Sequence, residues 1–268
     1  MNLNLYSKEL KRNRKSLLIW SIIIVGLSIM VMSLFPHMRE MGEQLGNIIK
    51  MMPEFMTKAM GVGPETWSSI LGPYNTYYGM YIVVLMGIYT SSVGSTIFSK
   101  EERDSTAEFL LTKPISRKSV FVSKIAVLFS LLTVVYLLQS LGAIFGMFTF
   151  GEDEVNWNIF KTMHTNGFVL IFFFSSLAVF ISMFLRPKKN FMGMNVGIVF
   201  GSFFLDAISK ATESMSWLGY FSPFHYLHFK IFEPGYATDF MAVGVFIGIS
   251  FVLLLISYLV YKRKDIDV

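Results

Sequence analysis

The chain has no cysteine among its 268 residues. Disulfides, thiolate catalysis and Cys-ligated metals are therefore excluded. Charge is also scarce: Asp, Glu, Lys and Arg make up 15% of the residues, against about 25% in an ordinary soluble domain. No G-x-x-x-x-G-K-[ST] occurs. The nearest glycine-rich stretch, Gly61-Val62-Gly63-Pro64, lacks the Lys-Ser/Thr, so the chain carries no phosphate-binding loop of its own. Histidine occurs only four times, and no Ser-His-Asp arrangement can be proposed. No catalytic residues are expected.

Apolar residues are abundant instead. The chain is 53% hydrophobic with 27 Phe and 18 Met, and its mean hydropathy is +0.55. Such a chain cannot cover its surface with polar groups, and lipid is its plausible solvent. A helix needs roughly 20 apolar residues to cross the hydrocarbon core. Six runs qualify: Leu17–Phe35, Tyr78–Phe98, Ile125–Phe150, Gly167–Leu185, Phe191–Ile208 and Phe240–Tyr261. The first follows a basic stretch, but its apolar part exceeds the usual ~7–15 residues of a signal core and no A-x-A-like site follows. It reads as a retained span. The expectation is an all-α membrane protein forming one transmembrane domain over residues 1–268.

Six spans place both termini on one side, and the positive-inside rule selects which. With the N-terminus inside, the inner segments hold five Lys/Arg before the first span, six in Lys100–Lys124, and three in each of the remaining two. All the outer segments together hold six. Both termini are therefore expected to be cytoplasmic in the cell membrane. The sequence pI of about 9.2 reflects this flanking charge, and no nucleic-acid partner is expected.

The outer segments differ in character. Pro53–Gly61 is expected to form a short amphipathic helix on the outer leaflet. Ser209–Asp239 is rich in aromatic residues and interrupted by Pro223, Pro234 and Gly235. It reads as an extracellular re-entrant or interfacial helical hairpin before the last span. His225 and His228 lie there at i, i+3, without a third ligand, and read as interfacial polar tips; no metal is expected. Asp206 and Lys210 read as a surface pair one helical turn apart.

The most informative stretch is Lys100–Lys124, which holds ten of the 41 charged residues between two long apolar runs. Ser105 with Glu108 forms a possible capping box. Phe109, Leu110 and Leu111 supply an apolar centre, and Pro114 stops the helix. Ser116 is placed to cap the next helix, which enters the third span through Arg117. This describes a short helix lying across the inner membrane face. Its leucines either dock on a partner or touch lipid.

Glu101/Glu102, Thr106, Glu108, Leu110-Leu111, Pro114, Ser116-Arg117 and Lys124 resemble the cytoplasmic stretch of type-2 ABC transporter permeases. That pattern reads roughly E-x-x-x-G-T-x-E-x-L-L-x-x-P-x-S-R, followed by a Lys entering the third span; Ser105 stands where the family usually has Gly. Tyr6–Lys15 resembles the family's amphipathic entry helix, and Ser222-Pro223-Phe224 its helices before the last span. The resemblance implies that Glu101, Glu102, Thr106, Glu108, Phe109, Leu110, Leu111, Pro114 and Arg117 form a cytoplasmic coupling helix. This helix would dock on a separate ATP-binding subunit, present in two copies, which binds the ATP and Mg while this chain has no cofactor. A second permease, identical or a related paralogue, would complete the path. The cargo would be hydrophobic or amphipathic: a drug, a peptide antibiotic or a lipid.

Small residues recur at four-residue spacing. Gly193, Gly197 and Gly201 line one face of the fifth span, and such faces let helices approach closely in lipid. This triple is the candidate permease–permease contact, with packing inside one bundle as the alternative. Gln139 and Asn195 are polar groups at membrane depth, and such groups tend to face the bundle interior or a pathway. Both are candidates for the substrate path. The competing function is a non-transporting membrane sensor or assembly protein.

Overall fold

The computed structural model describes residues 1–103, 115–151, 154–185 and 191–263. Among them every regular element is helical. The first span is α1 (Leu3–Ser33), capped by Asn2, whose side chain accepts from the Leu5 amide. The amphipathic entry helix and the span are thus one continuous helix. Pro36 opens α2 (Phe35–Glu40) just beyond it. Two further short helices, α3 (Gly42–Met51) and α4 (Glu54–Met60), and a 3-10 turn (Pro64–Trp67) lead to the second span. α4 is the short helix expected at Pro53–Gly61, and it ends where Gly61 takes a left-handed φ of 65°.

The second span begins earlier than its apolar run. It starts as α5 (Leu71–Tyr77), passes through a π turn at Tyr78–Ile82, and continues as α6 (Val83–Arg103). The third, α7 (Arg117–Phe150), is capped by Ser116, whose hydroxyl accepts from the Ser119 amide. Its 34 residues rise about 51 Å, well beyond the ~30 Å hydrocarbon core. The fourth, α8 (Trp157–Ser182), also starts early, at a cap made by Asn156. The run Gly167–Leu185 missed this first part, because Lys161, His164 and Asn166 break the apolar pattern. The fifth is α9 (Phe191–Ala211) and the sixth is α11 (Phe240–Arg263). Between them, where the sequence suggested a re-entrant or interfacial helical hairpin, lie a 3-10 helix (Glu213–Phe221), one turn of α10 (Pro223–Tyr226) and irregular chain.

The six helices that are long and apolar enough to cross a membrane are unequally covered. In the second and fourth, 83% and 67% of the most apolar stretch is buried, against 22% in the fifth and in the sixth. The second and fourth spans therefore form the centre. The first packs along the third, the fourth lies between the second and sixth, and the fifth leans on the second and on the 3-10 helix. Hydroxyls inside the spans bond back to their own helix: Thr90, Ser92, Thr96 and Ser99 each donate to the carbonyl four residues earlier. Such bonds satisfy a polar group without water.

Candidate functional site

One end of the bundle gathers the N-terminus, the two sides of the 104–114 connection and the end of the sixth span. Its core is ionic. Lys100 at the end of the second span pairs with Glu9 of the first. Its neighbour Glu101 pairs with Lys124 of the third. All four residues are buried. The Lys124 ammonium also donates to the Ile97 carbonyl at 2.6 Å and lies 5.3 Å from the Phe98 ring centroid, where the ring face attracts a cation. Phe98 in turn packs on Phe121 and Tyr261. Arg117 donates to the Lys262 carbonyl at 3.2 Å, in the last turn of the sixth span, where the helix end favours a cation.

Of the predicted loop residues, Glu101 and Arg117 fall within this cluster. Thr106, Glu108, Phe109, Leu110, Leu111 and Pro114 lie outside the described residues, as does the side chain of Glu102. Glu9 was not foreseen. The signal for it was an acid spaced four from Leu5, on the apolar side of an otherwise basic helix.

A second polar site lies toward the other end and joins four spans. His164 Nδ1 is 2.9 Å from the Phe160 carbonyl, which can only accept, so Nδ1 carries the proton. Nε2 then accepts from the Tyr74 hydroxyl at 3.1 Å. Tyr74 Oη in turn accepts from Gln139 Nε2 at 2.9 Å, which also reaches Ser28 Oγ at 3.4 Å. The apolar run Gly167–Leu185 left His164 outside the fourth span. That residue sits instead two turns inside the fourth span, 4% exposed.

Gln139 is fully buried, and Asn195 is 1% exposed and donates to Ser95 Oγ at 2.8 Å. Both named polar residues thus turn to neighbouring helices of the same chain. On the fifth span, Asn195 and Val199 face inward, while Gly193 and Gly197 are exposed. A Cβ built at Gly193, Gly197 or Gly201 would meet nothing within 4 Å.

The segment between the fifth and sixth spans is tied down through its backbone. Asn75 donates to the Phe229 carbonyl and Asn166 to that of His228. Phe229 lies against Gly79 in the π turn, where a Cβ would come within 2.9 Å of its ring. Burial, and then the nearby Lys230 charge, push His228 below the ordinary imidazole range. Asp206 pairs with Lys210 at 2.5 Å, as the spacing predicted. It is not at the surface, however: it is 4% exposed, with His225 of the segment before the last span 3.9 Å away. Among the described residues no three His, Asp or Glu side chains converge on a metal-sized site.

The family model described as "ABC-2 family transporter protein" matches residues 3–266. No curated protein matches the chain.

Proposed function

Because the chain belongs to the ABC-2 family of transporter proteins, we propose that it is the permease of an ATP-driven exporter. The observation that carries this reading is the buried Glu101–Lys124 pair. It joins the two sides of the connection whose sequence resembles a coupling helix, so a load applied there enters the bundle at a fixed point. The basic end is cytoplasmic, in line with the Lys/Arg count of its segments, and it faces two ATP-binding subunits. ATP and Mg bind to those subunits, since this sequence has no phosphate loop.

Two permeases, identical or related, form the path. They meet along Gly193, Gly197 and Gly201, which have open space before them and the small profile that lets backbones approach in lipid. The cargo is hydrophobic or amphipathic, in keeping with the Phe- and Met-rich spans. Gln139 and Asn195 act as glue between the spans that line the path, because both spend their donors inside the chain.

Copurification tests the reading. An ATP-binding protein is expected to purify with this chain from its native membrane. The bound protein is expected to be lost when Phe109, Leu110 and Leu111 are all changed to Ser. Undiminished copurification of that variant would rule out the docking role.

A further inference from the structure

Lys100 and Glu101 are consecutive residues of one helix, so their side chains leave it about 100° apart. One reaches Glu9 of the first span and the other reaches Lys124 of the third. The first and third spans also touch directly at this end. The Asn2 amide donates to Ser123 Oγ at 2.8 Å, and the Tyr6 hydroxyl lies 2.8 Å from Ser130 Oγ. Three helices are thereby joined pairwise in a triangle. The four charges sum to zero, and their side chains are between 1% and 12% exposed. Apolar contacts between helices are non-directional, so a small slip can be met by repacking. A buried ion pair does not tolerate one, because any slip strands a charge away from both water and its partner. The pairs therefore fix one register between the three helices.

We propose that Glu9, Lys100, Glu101 and Lys124 are positioning residues that lock the first, second and third spans into one rigid unit. A displacement entering at Arg103 or Arg117 then moves the first span together with the two it connects. The fifth span carries none of the four charges. It meets the second through the Asn195–Ser95 hydrogen bond and apolar contact, a neutral tie that costs less to break than a buried ion pair when the fifth span shifts against the unit. The transmission half of this proposal rests on the coupling role proposed above. The rigid unit stands on the geometry alone.

The absence of cysteine makes the test direct. Asn2→Cys with Ser123→Cys in the full chain places two thiols across the contact between the first and third spans, where the Asn2 amide lies 2.8 Å from Ser123 Oγ. Oxidation in native membranes is expected to give a high yield of intramolecular crosslink. Lys100→Met alone, which strands Glu9, is expected to lower that yield roughly threefold or more, and Glu9→Gln with Lys100→Met to recover most of it. The recovery separates loss of register from general misfolding. Equal yields in all backgrounds overturn the rigid unit.

Transmission is read in the complex with the copurified ATP-binding protein, using spin labels at Leu18→Cys and Phe204→Cys. ATP is expected to change the distance between the first and fifth spans. Lys100→Met is expected to abolish the change while ATP hydrolysis continues, and the exchange Glu9→Lys with Lys100→Glu to restore it. An unaltered ATP-driven change in Lys100→Met overturns the transmitting role and leaves the pairs as structural ties. If no ATP-binding protein copurifies, the coupling role above fails, while the crosslink still decides the unit.

Discussion

The third and fifth spans carry the same sequence signature and live in opposite surroundings. Gly142 and Gly146 repeat at four-residue spacing in the third, as Gly193, Gly197 and Gly201 do in the fifth. A Cβ at Gly142 would lie 2.7 Å from Val25 Cγ1, and one at Gly146 would lie 2.3 Å from Met32 Sδ. Those glycines are filled by the first span of the same chain. The fifth-span glycines face open space. Spacing alone says that a helix can be approached closely; it does not say by what. In the third span the approach is used up in forming the bundle, and in the fifth it is left for lipid or another chain.

The largest effect is expected where the face is already occupied. Gly142→Leu drives a branched side chain into Val25, and a β-branched residue cannot swing away at χ1. Overpacking of this kind costs about 1–3 kcal/mol, read as earlier unfolding in a detergent-to-SDS titration. Gly146 is the more forgiving of the two, because its neighbour is a flexible Met side chain. Val25→Ala is expected to recover part of the Gly142→Leu loss. No loss of stability in Gly142→Leu would break the comparison at its firmer end.

The six spans were legible because each keeps close to 20 apolar residues together, and the Ser116 cap and the short helix α4 followed from local chemistry. The misjudged starts have one cause. Leu71–Tyr77 and Trp157–Asn166 mix polar residues into helix, and some of these find partners only across the assembled bundle: Tyr74 in Gln139 and His164, Asn75 in the Phe229 carbonyl, Asn166 in the His228 carbonyl. A linear pattern cannot reveal a partner 65 or 90 residues away. The ionic cluster was half legible for the same reason. Glu101 and Lys124 stand in a recognisable stretch, whereas Glu9 is distinguished only by the helix face it occupies. Asp206 was paired with Lys210 correctly but placed at the surface, because nothing in its spacing shows the segment before the last span folding over it.

An intermediate effect is expected on the covered face of the fifth span. Asn195 lies two residues from both Gly193 and Gly197, about 200° around the helix, so it marks the side opposite the glycines. Asn195→Leu removes its donor bond to Ser95 and is expected to cost about 1 kcal/mol in the same SDS titration. It is expected to leave association between chains unchanged. A loss of dimer in that variant would mean that the two faces are not independent, and the division of the fifth span into an inward and an outward side would fail.

The smallest effect on the single chain is expected at Gly197, and it is the most discriminating. Leu there meets no atom of its own chain within 4 Å at Cβ, so the cost to the bundle is expected to stay within about 0.5 kcal/mol, as for substitutions away from packed features. Association is a different matter. If a second copy lies against the glycine face, Leu holds the two backbones apart and removes the close contact on which association in lipid depends. Phe204 and Ile208 continue that face and are exposed, and crosslinking between chains through a cysteine at either is expected to fall several-fold in Gly197→Leu. Unchanged crosslinking together with unchanged stability would leave lipid as the occupant. The third and fifth spans would then differ only in that one glycine face is covered by protein and the other by acyl chains.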